Sequence, residues 1–395
     1  MKLRSALFVP ALVAALLAGS AVAAPAEAAA PPVKVKVSSK VFKTGGTFPY
    51  DIAVGAKNGR LYVLDHDKPI VTVLNQKTGK QIAKIKLTNA KVYEINGIKA
   101  LGNKVYVLDG YRHRMYVIDA TKNKLVKTVI LPHSETTFDD PEVMEVSPDG
   151  KRIYIGPHYG TKILSYSVKA DKVTAKYDIS KIFKVFPAEA NVTSGQVVDI
   201  ATSDSGRYLY LSMMVGMSVD IFSMLAIYDT KTKKVTAVET SKDNPWGLGN
   251  TEFFDLLNVG KDKVYRTVST EVEDGQPFYV EVLDLSNPKK IKSIDRVPLP
   301  KGNIGYKMLY THGYVLVNNP DQDGFTKYLP DPLTVQIIDT KKKGAKAVVG
   351  SFSSKSNEML VGALSKDGKT VYYINGGAPD PGWKGKVTVA KLSFK

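Results

Sequence analysis

Residues 142–179 read EVMEVSPDGKRIYIGPHYGTKILSYSVKADKVTAKYDI, and this stretch decides the fold. Four short apolar runs (143–146, 152–155, 163–168 and 173–179) alternate with three turn signals: Pro148-Asp149-Gly150, Gly156-Pro157-His158-Tyr159-Gly160 and Ala170-Asp171-Lys172. Each run is too short for a helix and rich in Val, Ile and Tyr, which predicts four antiparallel strands. One four-stranded meander cannot bury both of its faces, so it calls for like units on either side.

The rest of the chain supplies them. Tyr154 in RIYIGP matches Tyr62 in RLYVLD, Tyr106 in KVYVLD, Tyr210 in YLYLSM, Tyr265 in KVYRTV and Tyr372 in TVYYIN. Gly313-Tyr314-Val315-Leu316 fills the remaining gap, giving seven units about 44 to 58 residues apart, near the spacing of propeller blades. Each unit repeats one order: a strand, a Gly-containing turn, a Tyr-bearing strand, a strand that often ends in Asp, a Lys-rich turn, a fourth strand. The terminal aspartates Asp119, Asp229, Asp284 and Asp339 are read as caps of the following turn, an Asx-turn role. The last unit offers only three strands (359–364, 370–374 and 386–393), whereas the alternating run PVKVKVSSKVFK at 32–43 precedes the first unit. An N-terminal strand that completes the last blade closes the ring and removes an exposed edge. The expected fold is all-β: a seven-bladed β-propeller of four-stranded antiparallel blades over residues 33–395.

The runs KVYVLDGYRHRMYVIDATKNKLVKTVIL (104–131) and VSPDGKRIYI (146–155) resemble the repeats of YVTN-type seven-bladed β-propellers. The match spans nearly the whole chain after residue 32 and is sharpest in the first three units and the last. Propellers of this kind include binding proteins, surface-layer components, lyases, lactonases and heavy subunits of periplasmic amine dehydrogenases. The resemblance therefore implies a fold and an exported location, and no single chemistry.

The N-terminus supports export. Lys2 and Arg4 precede an apolar run from Ser5 to Ala18, and Ala21-Val22-Ala23 is a small-residue cleavage site. Residues 1–23 are read as a signal peptide and 24–32 as an Ala/Pro-rich linker, so the expected location is secreted, periplasmic or cell-envelope. No later run approaches membrane length. The 395-residue chain has no Cys, which excludes disulfides, thiolate metal sites, Cys nucleophiles and covalent haem attachment. Its formal net charge is +17. For an exported chain that balance points to an anionic envelope polymer as a partner, met by Lys-rich turns such as Gln76-Lys77-Thr78-Gly79-Lys80 and Lys341-Lys342-Lys343, and not to nucleic acid.

In a propeller those turns share one face. The opposite face collects loops rich in acids, His and aromatics. Four of the five histidines fall there, all in the first three units: His66, His113, His133 and His158. With Asp51, Glu94 and Glu142, which precede or open first strands, they form the candidate ligand-binding set. Imidazoles and carboxylates together ligate metals or move protons. Carboxylates around a channel mouth repel one another unless a cation relieves them, so Asp51, Glu94, Glu142 and Glu358 are candidate ligands for a divalent cation such as Ca²⁺. The Met-rich stretch from Ser212 to Met224 (SMMVGMSVDIFSM) either packs internally, extends a hairpin or meets a protein partner. No G-x-S-x-G, H-E-x-x-H, Walker loop or dinucleotide fingerprint is present, so no catalytic residue is assigned. The expectation is a binding or scaffold protein with its ligand on the His-bearing face. The alternatives are a metal-assisted lyase or lactonase on that face, or a heavy subunit of an amine dehydrogenase-type complex.

Overall fold

The computed structural model describes residues 33–38, 41–55, 59–66, 68–90, 95–133, 140–186, 192–217, 220–239, 251–270, 278–300, 307–318, 334–353, 361–375 and 385–394. These form seven antiparallel sheets, one per blade. The first, innermost strands are Pro49–Val54, Ile95–Leu101, Pro141–Val146, Gln196–Thr202, Thr251–Asn258, Lys307–Thr311 and Gly362–Leu364. Each packs beside the next around the ring, and the seventh meets the first. In blade 3 the four strands are Pro141–Val146, Arg152–Pro157, Lys162–Ser167 and Lys172–Asp178, as the opening stretch predicts.

Closure follows the predicted route. Val33–Val37 pairs antiparallel with Lys386–Phe394, from Val33 opposite Phe394 to Val37 opposite Ala390. Phe42 and Lys43 then pair with Val387 and Lys386 on the same strand. The first chain segment is thus the outer strand of the last blade.

The recurring tyrosine wedges each blade against the next. The Tyr62 hydroxyl donates to the Ala120 carbonyl of blade 2 at 3.2 Å, and Tyr372 reaches the Gln76 carbonyl of blade 1 at 3.4 Å. Apolar side chains of neighbouring blades fill the space around them: Tyr62, Leu64, Ile98 and Tyr116 share one buried cluster, and Tyr372, Ile374, Ile52 and Val63 another. In blade 6 the pairing places Leu316, not Tyr314, at this position, because Met308 faces Val317 as Ile52 faces Val63.

Six outer strands carry a bulge at one repeated place: Ile82, Val126, Thr174, Thr236, Ile294 and Val349. A bulge twists an edge away from straight pairing, so these outer edges are poor templates for a second chain. It also explains why Ile82, Val126, Ile294 and Val349 stand exposed on an otherwise Lys-rich rim.

The Met-rich stretch forms an extended hairpin. Strands Tyr208–Met217 and Asp220–Asp229 run ten residues each, against six for the corresponding strands of blade 3. Ser212, Met213, Val215, Ser223 and Met224 are buried, the Met and Val side chains against Ile182, Phe183 and Phe186 of the 3-10 helix Ser180–Val185 and its exit. These residues serve the core between blades 3 and 4 and are not available to a partner. Among the described residues no helix is long and apolar enough to cross a membrane.

The Lys-rich turns are exposed, and the aspartates before them cap as expected. Asp119 accepts the N–H groups of Thr121 and Lys122, and Asp339 accepts that of Lys341. Several cations at this end of the blades join neighbours. Lys104 and Lys127 of blade 2 both reach Asp171 of blade 3, at 2.9 and 2.7 Å. Burial opposes ionisation of Asp171, but hydrogen bonds from Lys127, Tyr166 and Lys104 outweigh it and hold the carboxyl far below its usual range.

Candidate functional site

The innermost strands surround a central channel with a cavity of about 1240 Å³. Its wall is set by register. Asp51 faces Leu64, Gly97 faces Leu108, Val143 faces Gly156 and Asp199 faces Ser212, each beside a bulge. Asp255 takes this place in blade 5, Lys307 in blade 6 and Val361 in blade 7. An innermost strand is a sheet edge, so its N–H groups need acceptors from elsewhere. Aspartates supply them across the blade boundaries. Asp51 accepts the N–H of Ile98 at 2.9 Å, Asp199 that of Leu256 at 2.8 Å and Asp255 that of Met308 at 2.7 Å.

Two lysines offset part of this charge. Lys307 lies 2.7 Å from Asp255 and 4.0 Å from Asp199. Lys99, two residues past Gly97, lies 3.1 Å from Glu145 of blade 3. Burial pushes the Asp255 carboxyl up; Lys307 opposes the shift, and Asp199 adds to it. Burial likewise raises Asp51, against its two backbone donors and Lys99. The cavity lining holds Asp51, Glu142, Glu145, Asp199, Asp204 and Asp255 against Lys99 and Lys307, so a net acidic interior sits inside a basic molecule.

This arrangement revises the expected ring of carboxylates. Asp51 does reach the wall, but its equivalents are Gly97 and Val143, so Glu142 stands one residue off the ring position. Glu94 and Glu358 lie outside the described residues, as does the Asp321-Gln322-Asp323-Gly324 loop. The two donors on Asp51 point N–H groups at the oxygens a cation would need. Among the described residues no three of His, Asp and Glu gather in a way that could hold a metal ion.

The histidines do come together in part. His133 stacks on His113 with centroids 4.2 Å apart. His113 Nε2 lies 3.0 Å from Asp140 Oδ1, and the Asp140 carbonyl accepts the backbone N–H of His158 at 2.6 Å. His158 Nδ1 lies 3.3 Å from Glu142 Oε2, which also accepts from Asn96 Nδ2 at 2.9 Å. Asn96 and Glu142 line the cavity, so one polar chain runs from the face into the channel mouth. The hydrogen bond that His158 donates to Glu142 raises the His158 pKa above its ordinary 6.5, with burial opposing. Gly110 is needed here: a Cβ would come 2.4 Å from the Pro141 carbonyl oxygen and press on Asn96. His66 stands apart and stacks on Tyr50 at 4.6 Å. The fifth histidine, His312, packs on Phe394.

Asn96, Asp140, Asp199, Asp255 and Lys307 were not in the expected set. The three wall aspartates share a readable signal: Asp51-Ile52, Asp199-Ile200 and Asp255-Leu256 each open the apolar part of a first strand. Asn96 and Asp140 carry no such signal: Asn96 is the bulge residue of the first strand of blade 2, and Asp140 stands in the loop that enters blade 3.

No family model and no curated protein matches the chain. Solved structures do. A chain of Kuenenia stuttgartiensis hydrazine synthase superposes with a TM-score of 0.66 at 15% identity, covering 91% of this chain and 100% of that one. The β-propeller domain of Cps50 (Swd1) from Myceliophteria thermophila gives 0.64 at 11% identity, with the same coverage. At such identities the likeness is one of fold, and it shows a β-propeller.

Proposed function

We propose that this chain is an exported binding propeller whose ligand seats on the His-bearing face, at the mouth of the central channel. The observation that carries this reading is the polar chain His133–His113–Asp140 and His158–Glu142–Asn96, which ends in a cavity large enough for a small molecule or one end of a polymer. Export rests on the charged, apolar and small-residue pattern of residues 1–23, and the mature chain is expected to begin at Ala24. The exposed turn lysines add a screened attraction for anionic envelope polymer on the other face. The test is ligand capture by the secreted full chain, followed by His158→Ala and Glu142→Gln. Both variants lose the ligand if the mouth is the site. Retention by both overturns the reading.

One observation favours a second reading. A carboxylate-held imidazole at a cavity mouth is a general acid or base in form, so the His158–Glu142 pair suits a lyase or lactonase. Turnover of lactone or uronide substrates that vanishes in His158→Ala would select it over binding alone.

A further inference from the structure

Tyrosine is a core residue in this protein. Tyr62, Tyr106, Tyr116, Tyr154, Tyr166, Tyr210, Tyr228, Tyr265, Tyr314 and Tyr373 are fully buried. Tyr111 and Tyr159 are the opposite. They are 65% and 40% exposed, the two most exposed large aromatic side chains among the described residues. Tyr111 follows the strand Lys104–Asp109 of blade 2, and Tyr159 follows Arg152–Pro157 of blade 3. Both therefore stand in second-to-third-strand turns of adjacent blades, on the His-bearing face. His113–Asp140 and His158–Glu142 belong to the same face of the same two blades, and the His158 ring meets Tyr159 edge-on at 4.5 Å.

The two carboxylates on this face still have acceptor capacity. Glu142 engages His158 and Asn96 through Oε2 alone, and Asp140 engages His113 through Oδ1. Among the described residues no hydrogen bond or ion pair uses Glu142 Oε1 or the second carboxylate oxygen of Asp140, and both side chains keep about a third of their surface in solvent. An ionised carboxylate has about four acceptor sites, so each can take further donors.

We propose that this patch is a glycan site, with Tyr111 and Tyr159 as platforms for the apolar faces of two pyranose rings, and with Asp140 and Glu142 accepting hydroxyl hydrogen bonds between them. The inference rests on the reading that the mouth is the ligand site, and it names the ligand class. Flat aromatic faces bind C–H-rich ring surfaces at low conformational cost, and carboxylate pairs read hydroxyls. The two acids already have imidazole partners, so an ammonium ligand gains little at them. A neutral saccharide fits better than an amine.

The experiment uses the secreted full chain with neutral tetrasaccharides of glucose, mannose and N-acetylglucosamine, read by saturation-transfer NMR and calorimetry. At least one is expected to bind. Tyr111→Ala and Tyr159→Ala should each weaken it about fivefold or more without moving the melting temperature, since exposed rings contribute little to the fold. Tyr310→Ala, an exposed tyrosine on the first strand of blade 6, should leave binding unchanged. Failure of all three saccharides to bind, or binding indifferent to both tyrosine variants, overturns the glycan assignment. If 1,4-diaminobutane or a peptide then binds and is lost in His158→Ala, the ligand class alone was wrong. If nothing that binds responds to His158→Ala or Glu142→Gln, the site itself falls with it.

Discussion

Asp199 on the first strand of blade 4 accepts the backbone N–H of Leu256 on the first strand of blade 5, at 2.8 Å. The same relation joins Asp51 to Ile98 and Asp255 to Met308, one ring position apart in each case. The acid of one blade thus satisfies the unpaired edge of the next, and the channel wall is stitched by side chains where no sheet ladder can reach. Asp199→Ala is expected to cost about 1–3 kcal/mol, since it strips the side-chain acceptor from a buried donor. Asp199→Asn keeps an acceptor oxygen and should cost less than the alanine variant. Urea midpoints compared with the parent check both, and an unchanged midpoint for Asp199→Ala would show that channel water replaces the tie.

Ring closure makes a second, harsher prediction. Val33–Val37 alternates partly buried valines with exposed lysines against Lys386–Phe394. Removal of residues 33–43 leaves the last blade with three strands and a bare edge beside Phe352, Tyr373 and Leu392. The truncated protein is expected to aggregate, because unpaired edges template further pairing. Val35→Asp is the gentler form: it puts a charge against Leu392 and should lower the melting temperature while leaving the protein soluble. Size-exclusion profiles and melting curves read the two together.

The fold was legible because it is periodic. Tyr62, Tyr106, Tyr154, Tyr210, Tyr265 and Tyr372 recur for one packing reason, and a repeated reason leaves a repeated letter. The site is not periodic, and it was read only in part. Of the four histidines expected in one sector, His113, His133 and His158 come near one another at blades 2 and 3, and His66 stands apart on Tyr50. Glu142 was set in a ring with Asp51, but it is the bulge residue between Pro141 and Val143 and so corresponds to Tyr50 and Asn96. Sequence spacing counts residues and does not show which of them a bulge skips. Asp140 and Asn96 were missed because their roles arise only when the bulged strand of blade 2 meets the entry to blade 3. The hairpin from Ser212 to Met224 was ambiguous for a similar reason: Met213, Val215 and Met224 pack with residues of the 3-10 helix at Ser180–Val185, and no local pattern announces that contact.

Arg266 supplies a third prediction. It is buried between Glu239 and Glu281, donating from Nη1 to Glu239 Oε2 at 2.6 Å and from Nε to Glu281 Oε2 at 2.8 Å. Ser293 Oγ donates to the other Glu281 oxygen at 2.6 Å. Arg266→Met leaves two carboxylates with no guanidinium between them and is expected to cost about 3–5 kcal/mol at neutral pH. Burial opposes ionisation of Glu281, but Arg266 and Ser293 outweigh it and hold its pKa below the ordinary 4.5. Its contribution is therefore complete above about pH 4.5 and is lost as pH falls through the lowered native value. The gap between parent and Arg266→Met should shrink across that acid window. A gap that stays constant down to about pH 3 would mean that Glu281 is not held ionised by Arg266.

The last prediction concerns the mouth. Glu142 raises the His158 pKa above 6.5, chiefly by its hydrogen bond and against the effect of burial. The imidazolium–carboxylate contribution is thus complete below about pH 6.5 and fades as pH rises through the raised native value. Glu142→Gln removes the anion, so His158 should titrate lower in the variant, and the stability difference from the parent should be larger near about pH 5.5 than near about pH 9. The size of that difference stays below about 1 kcal/mol, because His158 is more than one-third exposed and water screens the pair. Carbon-bound imidazole proton shifts followed by NMR give the titration directly. If His158 titrates at the same pH in parent and variant, Glu142 does not control it. The polar chain from His133 to the channel would then be broken between His158 and Glu142.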